Sequence, residues 1–395
     1  MKLIRQIKSK AKALQTELVA TRRHLHSHPE LSFREKETSA FIQAQLKMHG
    51  IKFTAGYCKY GIVAEIKGAK KGKLVYLRGD MDALPITEQN KVPYVSKYPG
   101  VMHACGHDVH TTCVLGAAII LSELKQELAG TYRIIFQPGE EKLPGGASIM
   151  IKEGAIKSPK KAVIFGQHVH PPLEVGKVGF HPGEYMASAD EIFLEIIGVG
   201  GHAALPLNFI DSIMVSGEVL SALHKVISRY SDPKVPSVLS FGKINSDGGA
   251  TNIIPGKVTV QGTLRTMDEE NRARLKAAIK RIATHTAKAY GATAKVKIAH
   301  GYPTLYNNEQ LTEQAMEHAR TYLGQDKVVL LDKRLTAEDF SFYSQMMPAC
   351  FYRLGTGNKR RGLTAPVHTA TFDIDEQALL PGVGLMSYLA IMNAK

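Results

Sequence analysis

Val101-Met-His-Ala-Cys-Gly-His-Asp-Val-His110 carries three imidazoles, a thiol and a carboxylate, at His103, His107, His110, Cys105 and Asp108. Thiolate, imidazole and carboxylate are the ligand set of Zn²⁺ and similar ions. Such groups resist burial unless paired or ligating, so core packing accounts poorly for a cluster of them. No second Cys/His pair follows at finger spacing, which excludes a zinc finger. Glu140 and Glu141 end the run IIFQPGEE. Adjacent carboxylates are costly to hold together without a nearby cation. One would serve a metal and the other act as general base, and spacing alone does not say which. Asp80 and Asp82 in RGDMDALP (78–85) suit the task of orienting ligand imidazoles. His168 and His170 in GQHVH (166–170), and His368 in PVHT (366–369), add further imidazoles.

Two residues farther along have substrate chemistry. GVGGHA (198–203) formally matches a dinucleotide fingerprint. That motif needs a helix at once and an acidic residue about 20 positions on, and Pro206 intrudes instead. His202 therefore reads as a mobile polar group on a glycine loop that reaches a ligand. Arg265 is a candidate for holding a substrate carboxylate, since guanidinium pairs with it bidentately.

The elements that must position these groups alternate. Spacings of three and four in Ile4, Ile7, Ala11, Leu14 and Leu18 predict an amphipathic helix that ends before His28-Pro29. A second helix is expected over 35–49, then strands in IKFTAGY, GIVAEIKG and KLVYLRG. A helix over about 109–128, the strand TYRIIFQ, a helix from Gly145 and the strand AVIFGQHV follow. Strands alternating with helices argue for α/β layers, whose ligands bind beyond strand carboxyl ends. Over 191–300 the order becomes β-α-β-β-α-β, a ferredoxin-like unit. The expected organisation is one discontinuous α/β domain, 1–183 and 301–395, interrupted by an α+β insert over 184–300.

Composition bounds the rest. The chain has 395 residues, 50 Lys plus Arg and 36 Asp plus Glu, a net charge of +14. The basic residues are scattered and form no stripe with interleaved aromatics, so nucleic acid is not an expected partner. No apolar run approaches the ~20 residues of a membrane helix. Four cysteines are too few for a disulfide scaffold. Charges interleave with the apolar residues of the first fifteen positions, so no signal-peptide core is present. A cytoplasmic, reducing compartment is expected.

In order, RRHLHSHPELSFRE (22–35), RGDMDALP, HACGHDVHT (103–111), FQPGEE (136–141), GQHVHP, GVGGHAALP (198–206), NIIPG (252–256), GTLRT (262–266), TAEDFSFY (336–343) and VHTATFD (367–373) resemble the two-metal aminoacylase/carboxypeptidase superfamily. The resemblance is to its amidohydrolase branch, with hippurate hydrolase, indole-acetyl-amino-acid hydrolases and N-acetyldiaminopimelate deacetylase. It implies a catalytic α/β domain with a mixed sheet and an inserted lid or dimerisation domain. It implies two divalent ions, Zn²⁺ or Mn²⁺ first and Co²⁺ or Ni²⁺ next, on Cys105, His107, Glu141, His168 and His368, with Cys105 bridging. Glu140 becomes the general base. His202 and Asn252 match insert residues that meet substrate oxygens. The implied substrate is a small N-acyl-amino acid, the implied assembly a homodimer through the insert, and a dipeptidase or carboxypeptidase with the same core is the alternative. Two positions depart from the pattern. Leu207 stands where many relatives have His, and Gly139 where Ala is common.

Overall fold

The structure, a computed structural model, describes residues 2–395. The chain divides into two compact units. The first comprises the chain up to Gly183 with Tyr306–Asp332 and Asp339–Lys395; the second comprises Glu184–Leu305 and Lys333–Glu338. The sequence reading returned the chain to the first unit at 301, whereas 301–305 and the short stretch 333–338 group with the second. Residues 333–338 join it through backbone bonds: the Ala187 N–H donates to the Arg334 carbonyl and the Arg334 N–H to the Tyr185 carbonyl. Nothing in the local composition of those residues marks this.

The first unit is built on an eight-stranded mixed sheet. Its order is Lys52–Tyr57, Gly61–Lys67, Ala129–Gln137, Lys70–Asp80, Ala162–Glu174, Ala349–Gly357, Val178–Phe180 and Val328–Leu330. The four central strands, Ala129–Gln137, Lys70–Asp80, Ala162–Glu174 and Ala349–Gly357, run parallel. Ala349–Gly357 is buried along its whole length, as expected for a parallel strand covered on both faces. Helices His107–Leu124 and Leu379–Asn393 are apolar nearly all round and buried accordingly. The chain opens with two helices, Lys2–Ala13 and Gln15–Ser27, where a single one was expected. Leu14 separates them, although its N–H still donates to the Lys10 carbonyl, its carbonyl accepts the Leu18 N–H, and its backbone stays in the αR region.

The second unit pairs Ser237–Ser246, Lys257–Thr266, Asp190–Ile197 and Thr293–His300 in that order, all antiparallel. Helices Ser212–His224 and Glu269–Ala289 complete the β-α-β-β-α-β topology. Ile192, Leu194 and Ile196, at alternate positions, are buried in a core of their own with Val215, Val219 and Ile279. Asp211 and Asp268 cap the two helices, accepting from Ile213 and Met214 N–H and from Asn271 N–H.

One buried ion pair closes this unit. Arg272 Nε and Nη2 donate to the two oxygens of Asp190 at 2.7 and 2.8 Å, with both side chains excluded from solvent. Lys276 reaches the same carboxylate at 3.2 Å. Removing one partner of such a pair strands the other charge in a poor dielectric. Arg272→Ala should therefore lose about 3 kcal/mol of stability, read as a lower urea midpoint. An unchanged midpoint would show that Lys276 alone neutralises Asp190.

Candidate metal centre

The sequence-predicted groups of the first unit gather at the carboxyl ends of its central parallel strands. Asp80 ends one strand. Gln137 ends its neighbour, and Glu140 and Glu141 follow three and four residues later. His168 lies on the Ala162–Glu174 strand, paired with Arg353. His107 is the first residue of helix His107–Leu124, entered through Gly106 in the left-handed region (φ 81°). His368 is itself left-handed at φ 64°, a strained setting for a residue with a Cβ. Its N–H is anchored on the Ala104 carbonyl at 2.8 Å.

Ligating atoms of Cys105, His107 and His168 all lie within 4.8 Å of one another, and so do those of Cys105, Glu141 and His368. Cys105 is common to both groups. Its Sγ is 3.4 Å from His168 Nε2 and 3.2 Å from His368 Nε2. Glu141 Oε1 lies 3.4 Å from His368 Nε2 and 3.8 Å from His107 Nε2. Glu140 is 6% exposed beside them, and the Asp339 N–H lies 3.4 Å from its Oε1.

Hydrogen bonds fix which imidazole nitrogen faces this centre. His107 Nδ1 contacts Asp82 Oδ1 at 3.1 Å, which leaves Nε2 for the centre. His168 Nδ1 donates to the Val169 carbonyl at 2.8 Å, which again leaves Nε2. This is the arrangement in which ligand imidazoles are held elsewhere: one nitrogen bound to an oxygen, the other free. His107 Nε2 and Glu141 Oε1 are both buried and make no hydrogen bond. Buried polar atoms left in this way call for a partner.

The electrostatics ask for a cation. Burial, reinforced by Glu141, Glu140 and Asp80, pushes the Cys105 thiol well above the ordinary range. Burial works against charge on His107 too, but Asp80, Asp82 and Glu141 outweigh it and raise the imidazole to about 10. The protein therefore surrounds this point with an excess of negative charge. A divalent cation would relieve it, turn the thiol into a thiolate and take the bare nitrogen and oxygen as ligands. The residues fit such an ion.

Asp80 and Asp82 divide the orienting work. Asp82 serves His107. Asp80 accepts from His110 Nδ1 at 2.6 Å and pairs with Arg78. His110 Nε2 in turn accepts the Val169 N–H at 2.8 Å, so its two nitrogens are engaged away from the centre. His110 was visible in the sequence cluster, but its link to the backbone beside His168 needed the fold. His103 is buried with neither ring nitrogen hydrogen-bonded, and burial pushes its pKa down to about 4. His170 is half-buried. Asp339, from the TAEDFSFY stretch, had no assigned task. It accepts from Gln137 at 2.7 Å, Arg78 at 2.6 Å and the Ala147 N–H at 3.0 Å.

The remaining predicted residues belong to the second unit. His202 and Ile253 are register partners of two short strands, Gly201–His202 and Ile253–Ile254. The Ala203 N–H donates to the Asn252 carbonyl at 3.0 Å, and His202 Nδ1 accepts from Ala204 N–H. His202 and Asn252 are exposed, as are Leu205 and Leu207, the latter almost completely. Arg265 lies half-buried on the Lys257–Thr266 strand, and burial lowers its pKa.

Residues 76–391 match the model of Peptidase family M20/M25/M40. An N-acyl-L-amino acid amidohydrolase of Geobacillus stearothermophilus is 41% identical over 305 residues, 77% of this chain and 82% of that protein. A thermostable carboxypeptidase of Saccharolobus solfataricus is 36% identical over 394 residues, 99% of each. The crystal structure of Bacillus subtilis YXEP, described as a dinuclear metal binding peptidase from the M20 family, superposes with a TM-score of 0.83. It is 35% identical and covers 96% of this chain and 98% of that one. With a match over most of its length and relatives at this identity, the chain belongs to peptidase family M20/M25/M40.

Proposed function

We propose that this protein is a metal-dependent amidohydrolase that cleaves the amide bond of N-acyl-amino acids. The observation that carries the reading is the pair of ligand groups meeting at Cys105, with Glu140 buried next to Glu141. The amidohydrolase relative supports the substrate class. Cys105, His107, Glu141, His168 and His368 would hold two divalent ions, with Cys105 shared between them. Bound there, the ions supply Lewis acidity toward water and an amide carbonyl. Zn²⁺ or Mn²⁺ suits this mixed donor set, and Co²⁺ or Ni²⁺ is compatible with it.

The chain's own groups do the rest. Glu140 takes a proton from the attacking water and delivers it to the leaving nitrogen, so one carboxylate is base and then acid. Asp82 keeps the His107 Nδ1 proton in place, holding Nε2 toward the centre. We assign His202 to the developing oxyanion, Asn252 to a substrate oxygen and Arg265 to the substrate carboxylate. A homodimer through the second unit and a cytoplasmic setting complete the reading. Among the described residues no helix is long and apolar enough to cross a membrane. The carboxypeptidase relative supports a second reading, hydrolysis of peptides by the same centre.

A panel of N-acetyl and N-benzoyl amino acids beside dipeptides, run on metal-reconstituted protein, separates the two readings. Turnover is expected on the N-acyl series, abolished by EDTA and restored by Mn²⁺ or Zn²⁺. Preference for dipeptides would move the assignment to the second reading. Glu140→Gln should retain its metal and lose about 10²–10⁴-fold in kcat, whereas near-normal turnover would remove Glu140 from the base role. Asp82→Ala should weaken metal binding about 10–100-fold by titration calorimetry. Unaltered affinity would mean that His107 needs no orienting partner.

A further inference from the structure

The stretch RRHLHSHPELSFRE takes no part in the chemistry assigned above, yet its last residues reach the loop that carries the two glutamates. Glu35 is fully buried. Its Oε1 accepts two backbone N–H groups, from Phe33 at 2.9 Å and from Gly139 at 2.8 Å. Gly139 immediately precedes Glu140. The carbonyl of Gly139 accepts the Gly146 N–H at 2.9 Å, so the residue is held on both sides. The Phe33 ring covers it: a Cβ on Gly139 would sit 2.3 Å from Phe33 Cε1. Phe33 and Gly139 both occupy the left-handed region, at φ 65° and 66°. Glycine at 139 answers both constraints, where Ala would meet the ring and the strained backbone.

The same turn holds the other end of the loop. Ser32 Oγ donates to Asp82 Oδ2 at 2.6 Å, and that oxygen also accepts the Glu141 N–H at 3.0 Å. The turn is itself tied down, since the Ala83 N–H donates to the Glu30 carbonyl at 2.8 Å. The Glu140–Glu141 peptide is therefore suspended between two points, Gly139 and Asp82, and both are gripped by residues 32–35.

We infer that residues 32–35 are a positioning element, in which Glu35 through the Gly139 N–H and Ser32 through Asp82 set where the Glu140 and Glu141 carboxylates point. The inference rests on the assignment of Glu140 as base and Glu141 as ligand. Glu35 and Ser32 act through the backbone of the loop and through Asp82. Burial, with Asp82 nearby, raises the Glu35 carboxyl to about 8, so its neutral form is the one an amide imitates. Gln at 35 preserves the oxygen that accepts the two N–H groups, and Ala removes it.

The test compares Glu35→Ala, Glu35→Gln and the wild type, each with Co²⁺ alone as probe and then as metal-loaded enzymes on an N-acyl amino acid. Co²⁺ affinity and the visible ligand-field spectrum report on Glu141 without any substrate. Glu35→Ala should bind Co²⁺ about 10-fold more weakly with an altered spectrum. It should also lose about 10–100-fold in kcat with KM little changed. Glu35→Gln should bring affinity, spectrum and kcat back to within about threefold of wild type. A folded Glu35→Ala with unaltered Co²⁺ binding and kcat overturns the inference, and so does a Glu35→Gln as impaired as the Ala variant. If Glu35→Ala does not fold, Ser32→Ala decides: it should shift Co²⁺ affinity and kcat the same way by about threefold, and no shift in either is equally fatal. A wild type inactive on N-acyl amino acids would defeat the substrate assignment, while the Co²⁺ arm still decides the role of the turn.

Discussion

One carboxylate organises the first unit's site. Asp82, 1% exposed, meets the His107 imidazole, the Ser32 hydroxyl and the Glu141 N–H, three donors from three separate segments. Burial by itself would favour the neutral acid, but His107, Ser32 and the Glu141 amide hold it ionised, below the ordinary carboxylate range. An ionised, fully hydrogen-bonded carboxylate in a poor dielectric is a stiff joint, because each lost donor exposes an uncompensated charge. The helix start, the glutamate loop and the turn at residue 32 therefore meet at one side chain.

Around that joint the charges fall into two groups. Asp80 and Asp339 share Arg78 as counter-charge. Farther out, Arg22 bridges Asp108 and Asp373 at 2.8 and 2.7 Å, tying helix Gln15–Ser27 to the helix that begins at His107. Cys105, Glu140 and Glu141 are different. The protein brings them together with the imidazoles of His107, His168 and His368. Thiol, carboxylate and imidazole gathered at one point are a donor set that a divalent cation can use.

Much of this was readable from residue types. Cys105, His107 and their neighbours stand close in sequence because a loop entering a helix can aim several side chains at one point, and that density is visible without a fold. The β-α-β-β-α-β order of the second unit was equally legible, since Ile192, Leu194 and Ile196 alternate as a half-buried strand must. The short stretch 333–338 was not legible, because its attachment is made by backbone hydrogen bonds that any side chain permits. The helix boundary at Leu14 left no mark either: Ile7, Ala11 and Leu18 keep helical spacing on both sides of it, and i to i−4 bonds run through Leu14 itself.

By itself the sequence determined the chemical inventory: which ligand types exist, that two carboxylates sit side by side, and that strands alternate with helices ahead of them. These depend on composition and on periodicity, which are local. Tertiary structure alone decided the direction of each group. It turned Nε2 of His107 and His168 toward one centre by engaging their Nδ1 atoms on Asp82 and on Val169. It directed His110 to Asp80 and to the backbone next to His168. It also joined Glu35 to Gly139 across 104 positions of chain. Such choices are made by hydrogen bonds between segments remote in sequence, and an imidazole or a glutamate carries no local signal of which nitrogen or oxygen the fold will occupy.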